Sequence, residues 1–378
     1  MKSPLDKYKR IVVKVGSALL VDAENSCVKT QWLETLGKDF ASLIAQDKEI
    51  IIVSSGTIAL GRSAFDMPLT SLKLEEGQAA ASIGQIILAG AWQSALNCAN
   101  KHVGQVLITW NDTENRRRYL NVRNTIDTLL KYQAIPLINE NDTVTTQEIR
   151  YGDNDRLAAR IATMVNADAL ILLSDVDGLY TESPQKNPHA KHLDVIEEIT
   201  PEIENMASGA ASLYSRGGMA TKVAAAKMAT SGGIDMMIAS GLVQHPLAKL
   251  GSEQKYTLFK STVDHATARK SWLASHMDER GEIIIDAGAS QALLTGSSLL
   301  AAGITHVEGE FERGDVVVIV NQEGMALAKG IVAYDYEDAQ KIAGHRSEEF
   351  QDILGYPPRG AFIHRDDLVL LVASGATE

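Results

Sequence analysis

The fold is decided by the stretch IPLINENDTVTTQEIRYGDND, residues 135–155. It opens with an apolar run, 135–138, that is typical of a buried strand, and passes directly into the polar residues 139–142. A second polar cluster, 153–155, stands immediately before a helical pattern. Asn and Asp favour turns, but an unpaired polar group costs about 1–3 kcal/mol when it is buried. Two such clusters around one strand-to-helix passage favour a binding site over solvated turns.

The rest of residues 1–262 repeats this alternation of strands and helices. Apolar runs predict strands over 11–15, 49–53, 103–109, 169–173 and 235–239, and longer runs predict helices over 30–46, 76–96, 116–132 and 157–165. The pattern predicts an α/β fold, with a mainly parallel sheet sandwiched by helices. Ligands of such sheets bind beyond the carboxyl ends of the strands. Each polar cluster follows a predicted strand, so we expect one site along that edge.

Two lysines stand beside glycine-rich backbone. Lys14 interrupts a β-branched strand, where a buried lysine needs a partner or a shifted pKa. It therefore faces water on an edge strand, or it points over the end of a central strand at an anionic ligand. Gly16 and Ser17 follow it with backbone N–H groups, and a glycine pair precedes Lys222. Lysines with glycine N–H groups fit a polyphosphate, although neither a Walker A spacing nor GxGxxG is present.

Asp155 has two compatible interpretations. It is either the N-cap of a helix that starts at Arg156 or a carboxylate that orients the two lysines. The sequence indicates no Ser-His-Asp or Cys-His set, which argues against the usual nucleophilic hydrolases. Phosphoryl transfer needs mainly positioning and charge stabilisation, for which lysines, glycine N–H groups and magnesium suffice.

Composition narrows the class of protein further. The net charge of −12 over 378 residues argues against a protein that coats nucleic acid. Cys27 and Cys98 have no CxxC spacing, so neither a disulfide framework nor a zinc site is expected. The polar start MKSPLDKYKR does not resemble a signal peptide, and no stretch approaches the roughly 20 apolar residues of a membrane-crossing helix. We therefore expect a cytoplasmic protein.

The character of the chain changes after residue 262. A charged connector, 263–280, leads into short β-type runs with frequent glycine turns. Residues 281–378 therefore predict a small, mostly β second domain.

The first domain contains six short motifs: VKVGS at 13–17, SSGTIALG at 54–61, NEND at 139–142, GDND at 152–155, LLSDVDGLY at 172–180 and GGMATK at 217–222. In this order and spacing they together resemble the glutamate 5-kinase branch of the amino acid kinase family. In the second domain, GSSLLAAGI at 296–304, FERGD at 311–315 and IAGHRS at 342–347 resemble the PUA domain, a small barrel. The resemblance covers essentially the whole chain.

The resemblance implies ATP-dependent phosphorylation of the L-glutamate side-chain carboxylate, the first step towards proline, with magnesium. It implies catalytic roles for Lys14, Lys222 and Asp155, the last of which organises both lysines. The glutamate-binding residues that it implies are Ser55, Asp142 and Asn154. The implied ATP-binding residues are Lys14, Gly16, Ser174, Asp175, Arg216, Gly217, Gly218, Met219, Ala220, Thr221 and Lys222; Arg216 departs from the small or polar residue expected there.

The resemblance also implies feedback inhibition by proline and assembly into oligomers, a homodimer or a homotetramer. Direct hand-over of the product to glutamyl phosphate reductase is left open by the sequence. Two alternatives stay open. One is a kinase of the same family for another carboxylate or phosphate acceptor, which only the loop 139–154 would distinguish. The other is an RNA-binding regulatory protein that acts through the C-terminal domain, although the acidic chain shows no basic stripe for RNA.

Overall fold

The computed structural model describes residues 3–22, 25–65, 72–145, 154–185, 187–208, 218–263 and 280–371. The chain divides into two compact units, Met1–His265 and Ala266–Glu378. Apart from Val263 and Arg280, the predicted connector lies outside the described residues.

A large, mainly parallel sheet forms the centre of the first unit. Its hydrogen-bonded order is β10-β12-β11-β7-β1-β4-β6-β5, and the six strands from β11 to β5 in that order run parallel. Two short hairpins, β2-β3 and β8-β9, lie outside it. The strands are β1 (Arg10–Val15), β2 (Val21–Asp22), β3 (Cys27–Val28), β4 (Glu49–Ser54), β5 (Val103–Ile108), β6 (Ile135–Glu140), β7 (Ala169–Ser174), β8 (Leu179–Tyr180), β9 (His192–Leu193), β10 (Val195–Ile196), β11 (Asp235–Ser240) and β12 (Tyr256–Phe259).

The predicted helices are present, with ends that differ by a few residues. The helix after residue 153 begins at Asn154, earlier than predicted, so Asp155 lies inside its first turn. The helices of this unit are α1 (Ser17–Leu20), α2 (Thr30–Ile44), α3 (Thr57–Arg62), α4 (Leu74–Leu96), α5 (Trp110–Glu114), α6 (Arg116–Lys131), α7 (Asn154–Met164), α8 (Pro201–Ser208) and α9 (Met219–Ser231), with 3-10 turns at Ser63–Phe65 and Asn97–Ala99.

Helices cover both faces of the sheet. Alternate side chains of each strand point to opposite faces, so both faces carry apolar side chains that must be buried. Val13 and Val15 of β1 belong to the cluster that contains Phe40 of α2 and Trp92 of α4. Val12 belongs to the opposite cluster, which includes buried residues of α7 and α9. The predicted parallel sheet between two helical layers is confirmed.

Helices α3 and α4 cross at backbone contact. A Cβ atom on Gly61 would lie 1.7 Å from the carbonyl oxygen of Ala80, and one on Gly84 would lie 1.8 Å from that of Thr57. Neither position could hold a side chain without a shift of the backbone. The two glycines therefore lock α3 and α4 into one rigid pair.

Helix α4 departs from the expectation that no stretch of the chain is long and apolar enough to cross a membrane. By length and composition, the segment Leu74–Ala99 could cross a membrane, the single such helix in the described part of the chain. Its most apolar window is 44% buried inside the unit, and Leu88, Trp92 and Leu96 are fully buried. A core helix of a globular domain passes the same test, so this finding is weak evidence for a membrane span.

The second unit is mostly β, as predicted. Its five-stranded sheet has the order β14-β13-β15-β16-β17. Tyr334, Phe350 and Phe362 pack together in its core, with ring centroids 5.7 and 5.9 Å from the tyrosine. Its elements are β13 (Gly281–Ile285), α10 (Ala287–Leu294), β14 (Ile304–Gly309), β15 (Val316–Val320), β16 (Ala326–Ile331), α11 (Tyr336–Ile342), α12 (Phe350–Leu354) and β17 (Leu368–Leu370), with 3-10 turns at Ala301–Gly303, Ser347–Glu349 and Arg365–Asp367.

Candidate active site

The sheet order brings the predicted site residues to one edge. Strands β7, β1, β4 and β6 are neighbours and run parallel, so their carboxyl ends lie side by side. Lys14 lies on β1, between β4 and β7, and only 8% of its surface is exposed. The interpretation of Lys14 as a solvated residue of an edge strand is therefore wrong.

The two predicted lysines meet one carboxylate. Lys14 Nζ lies 2.6 Å from Asp155 Oδ1, and Lys222 Nζ lies 3.0 Å from Asp155 Oδ2. Lys14 shares the strand face of Val12, which contacts the helical layer of α7 and α9, and these helices carry Asp155 and Lys222. The Asp155 side chain engages the lysines from within the first turn of α7, so the N-cap interpretation is wrong.

Asp155 is held ionised by its two partners. It is completely buried, and burial by itself would raise its pKa because it disfavours the charged form. The ammonium groups of Lys14 and Lys222 outweigh that effect, so the pKa of Asp155 is lowered from its ordinary value of 3.8. Two ammonium groups and one carboxylate give these three side chains a net charge of +1. A cation in a site this dry is stabilised when an anion arrives.

A second group of contacts joins α7 to β4 and β6. The two N–H groups of Asn154 Nδ2 are shared among three acceptors within hydrogen-bond distance: the Ser54 carbonyl at 2.8 Å, Ser55 Oγ at 2.7 Å and Asn139 Oδ1 at 3.0 Å. Ser55 and Asn154 therefore lie together, as predicted. Asn139 Oδ1 also accepts from the backbone N–H of Glu140 at 2.9 Å.

Asn139 was not among the predicted site residues, but it faces the same place. Only 2% of its surface is exposed, and its Nδ2 has no hydrogen-bond partner among the described residues. An orphaned buried donor costs about 1–3 kcal/mol, which a ligand acceptor would recover. Its position directly after the apolar part of β6 was the available signal, whereas the orphaned donor is visible only in three dimensions.

Asp142 lies just beyond β6, in contact with α3. Its Oδ2 accepts a 3.1 Å hydrogen bond from Thr57 Oγ1, and Thr57 is 2% exposed. The preceding residue is hydrogen-bonded to the end of β5, where Asn141 N donates to the Ile108 carbonyl at 2.8 Å. This carboxylate lies on the same sheet edge as the Asn154 group.

The end of β7 carries the predicted nucleotide pair. Ser174 Oγ donates to Asp175 Oδ1 at 2.9 Å, and the Ser174 carbonyl accepts from Gly241 N at 2.6 Å. Ser174 is nearly buried, whereas Asp175 is exposed. The pair therefore presents one carboxylate to solvent at the edge of the sheet.

Glycine turns approach the lysine cluster from both sides. Gly56, at φ +107°, has the left-handed backbone that favours glycine, and a Cβ there would lie 3.6 Å from Ser17 Cβ. A Cβ on Gly16 would lie 3.8 Å from Lys14 Nζ. The turns after β1 and β4 are therefore in contact beside Lys14.

The second glycine segment is partly described. Gly218 is the N-cap of α9, and its carbonyl accepts from Thr221 Oγ1 at 2.7 Å. Met219, Ala220, Thr221 and Lys222 form the first turn, whose N–H groups favour anions. Arg216 and Gly217 lie outside the described residues.

The comparisons with known proteins agree with this geometry. Residues 9–240 match the amino acid kinase family, and residues 281–354 match the PUA domain. A glutamate 5-kinase of Brucella anthropi is 54% identical over 376 residues, which cover 100% of this chain and 99% of the relative. One of Sinorhizobium fredii is 54% identical over 373 residues, which cover 99% and 95%.

Among solved structures, UMP kinase from Ureaplasma parvum is similar at 18% identity with a TM-score of 0.46, over 69% of this chain and 100% of that one. The family match spans seven of the eight strands of the large sheet, all except β12, and the relatives span essentially the full chain. The chain belongs to the amino acid kinase family and carries a C-terminal PUA domain.

Proposed function

We propose that this chain transfers the γ-phosphoryl group of ATP to the side-chain carboxylate of L-glutamate, which yields L-glutamyl 5-phosphate and ADP. Its relatives with 54% identity over the full chain are named glutamate 5-kinases. The observation that carries the proposal is the Lys14–Asp155–Lys222 cluster, which is buried, positively charged and located at the carboxyl edge of the sheet.

The reaction needs no general base. A glutamate side chain is ionised at neutral pH, so one of its oxygens attacks the γ-phosphorus directly. The new C–O–P bond forms while the bond to the β-phosphate oxygen breaks, and its electron pair leaves with ADP. The barrier is dominated by repulsion between a carboxylate and a triphosphate. Lys14 and Lys222 offset that repulsion where negative charge accumulates on the transferring oxygens.

Asp155 acts through the lysines. Its two oxygens hold the two ammonium groups 2.6 and 3.0 Å away, one from β1 and one from α9. Because both ammonium groups contact one carboxylate, they lie close enough together to bind the same triphosphate. The N–H groups of Gly16 and of the first turn of α9 add donors that tolerate close approach, and the Ser174–Asp175 pair would contact the nucleotide.

The acceptor substrate fits the neighbouring group of residues. Asp142 offers a carboxylate for the α-ammonium group of glutamate. Asn139 offers the orphaned amide donor, and Ser55 with Asn154 adds polar contacts for a carboxylate. These residues lie on or just after β4 and β6 and at the start of α7. They give the ammonium group of an amino-acid substrate one charged contact, Asp142, and give its carboxylates neutral polar contacts.

Magnesium would arrive with ATP. Among the described residues, no group of three or more His, Cys, Asp or Glu side chains could hold a metal ion. Mg²⁺ is commonly held by substrate phosphates with one or two carboxylates rather than by a protein cage, and Asp175 is an exposed carboxylate at this edge. The donor set fits an ion held mainly by the phosphates, where it would neutralise part of their charge.

The test is ATP consumption with glutamate, acetylglutamate, aspartate, carbamate or UMP as acceptor, in the presence of hydroxylamine, which converts an acyl phosphate into a hydroxamate. We expect hydroxamate only with glutamate, and less of it when proline is added. Turnover with another acceptor alone would assign the chain to a different reaction of the family. Absence of turnover with all of them would favour the regulatory alternative.

RNA binding by the C-terminal domain is the less favoured alternative. Residues 281–378 contain sixteen Asp and Glu against six Lys and Arg, a net charge of −10 out of the −12 of the whole chain. Such a domain repels phosphate backbones at a distance. Filter binding with the full chain at low salt would test this alternative.

Self-association through α4 is the assembly that the surface favours. Residues 77–100 contain no charged side chain, yet Ile86 is 76% exposed and Ile87 is 39% exposed. Two copies of an acidic protein repel each other least through an uncharged face. We therefore propose a homodimer or homotetramer that uses this face. We also propose that proline inhibits the enzyme and that its product is handed over to a glutamyl phosphate reductase.

A further inference from the structure

The acceptor loop, residues 140–145, comprises the last residue of β6 and the five residues that follow it. It is held by the rigid α3–α4 pair at three points. The first is Thr57, at the start of α3. Its hydroxyl is buried and donates to Asp142 Oδ2 at 3.1 Å. Hydrogen bonds to a carboxylate are among the stronger ones in proteins. Thr57 therefore constrains the rotation of the carboxylate that is proposed to receive the substrate ammonium group.

The other two points lie on α4. Gln85 Nε2 donates to the Glu140 carbonyl at 3.3 Å, and Gln78 Nε2 donates to the Thr145 carbonyl at 3.3 Å. The two glutamines are separated by about two helical turns, so they lie on one face of the helix. One end of the loop is thus tied to Gln85 and the other end to Gln78.

The side chain of Gln85 is itself held in place by burial and by a hydrogen bond from β5. Only 5% of its surface is exposed, and its Oε1 accepts from Gln105 Nε2 of β5 at 2.9 Å. A buried amide with both ends bonded has little rotational freedom. Since Gly61 and Gly84 hold α3 against α4, all three donors belong to one stiff element.

We infer that Thr57, Gln78 and Gln85 are positioning residues for the acceptor substrate, which hold Asp142 and the loop 140–145 in the conformation that binds glutamate. This inference rests on the proposed function. None of the three needs to touch the substrate. They act by preorganisation: a loop already in its bound conformation loses less entropy on binding. The nucleotide side of the site, at β1, β7 and α9, does not depend on these bonds.

The test compares three substitutions with a matched control. Thr57→Val and Gln78→Met each remove the donor to the loop at nearly constant shape, and Gln85→Met removes the donor to the loop together with the acceptor of Gln105. Gln93→Met is the control, because Gln93 also lies on α4 and also bonds backbone, to the Lys101 carbonyl at 3.1 Å and Val103 N at 2.9 Å. Those contacts are at the amino end of β5, opposite the site. Thr57→Ser keeps the hydroxyl and serves as the rescue.

We expect Thr57→Val and Gln85→Met to raise KM for glutamate about five- to tenfold, the size of one lost hydrogen bond to a charged or buried group. KM for ATP and kcat should stay within about twofold of the wild type. Thr57→Ser should restore KM, and Gln93→Met should leave it unchanged. Thermal unfolding of each variant shows whether it is folded at the assay temperature.

Two outcomes overturn the inference. One is an unchanged KM for glutamate in folded Thr57→Val and Gln85→Met. The other is a parallel change in kcat and in both KM values that Gln93→Met reproduces, since that indicates only a general loss of stability. A wild-type enzyme that does not phosphorylate glutamate would instead contradict the proposed function, and the two failures are therefore separable.

Discussion

Lys14 Nζ and Asp155 Oδ1 lie 2.6 Å apart in the interior of the first unit. One residue is on the central strand β1, and the other is in the first turn of α7, the next helix in the chain after β6. Neither charge could be buried alone at acceptable cost. Their pairing, with Lys222 on the second oxygen, holds two ammonium groups side by side in a dry site.

The first prediction concerns Lys222. Lys222→Ala should lower kcat by about a hundredfold or more, because it removes a positive group aimed at charge that develops in the transition state. The fold should persist, since Asp155 keeps Lys14 as its partner. Lys227→Ala is the control on the same helix; Lys227 is exposed and pairs with Glu204 at 2.5 Å. Steady-state kinetics and circular dichroism check both variants, and near-wild-type kcat in folded Lys222→Ala would refute the role.

The second prediction concerns Asp155 and pH. Asp155→Asn leaves two buried ammonium groups without their carboxylate, so the free energy of unfolding at neutral pH should fall by about 3–5 kcal/mol. The folded pKa of Asp155 lies below its ordinary value of 3.8. The stabilisation is therefore fully present above that ordinary value and is lost as the pH falls through the folded pKa.

Urea unfolding of wild type and variant from about pH 7 to about pH 3 measures this difference. We expect a constant gap between the free energies of unfolding of wild type and variant near neutral pH, and this gap should narrow only at the acid end. Glu253→Gln, which removes an exposed pair with Lys249 at 3.5 Å, should change stability by less than about 1 kcal/mol. A gap that widens as the pH falls would contradict the assigned direction of the pKa shift.

The third prediction concerns Asn139. Asn139→Asp keeps the oxygen that accepts from Asn154 and Glu140 but replaces the orphaned donor with an acceptor that can carry charge. KM for glutamate should rise about tenfold or more, because a buried donor is lost and a like charge faces the substrate carboxylate. Asn321→Asp is the matched control, since Asn321 Oδ1 also accepts backbone N–H groups, from Glu323 and Met325. A KM that stays unchanged in folded Asn139→Asp would exclude Asn139 from the acceptor site.

The fourth prediction concerns assembly. Ile86→Glu places a charge in the middle of the uncharged face of α4, so light scattering after size exclusion should show a smaller species than the wild type. Tyr132→Glu is the control, because Tyr132 is equally exposed, at 77%, but lies at the end of α6. A monomeric wild type, or an assembly that survives Ile86→Glu, would place the interface elsewhere or remove it.

The sequence was most informative where local chemistry is decisive. Apolar runs of strand length determined where the strands lie, and the polar residues after them predicted one edge as the site. Lys14 was recognisable because a lysine within a β-branched run is costly to bury. The start of α7 was misplaced, since the helix begins at Asn154 rather than Arg156. The error affected Asp155, which was interpreted as a possible helix N-cap although its carboxylate contacts two lysines.

What the sequence alone determined is therefore the α/β pattern, the identity of the two lysines and the position of the acidic and amide groups at strand ends. Only the tertiary structure decided that β7, β1, β4 and β6 are neighbours, which is why Lys14, Asp155 and Lys222 meet. Only the tertiary structure revealed the unpaired amide donor of Asn139 and the hydrogen bonds from Thr57, Gln78 and Gln85 to the acceptor loop. The physical reason is that these contacts join residues far apart in the chain, and they depend on sheet order and on glycine-mediated helix packing that no local pattern encodes.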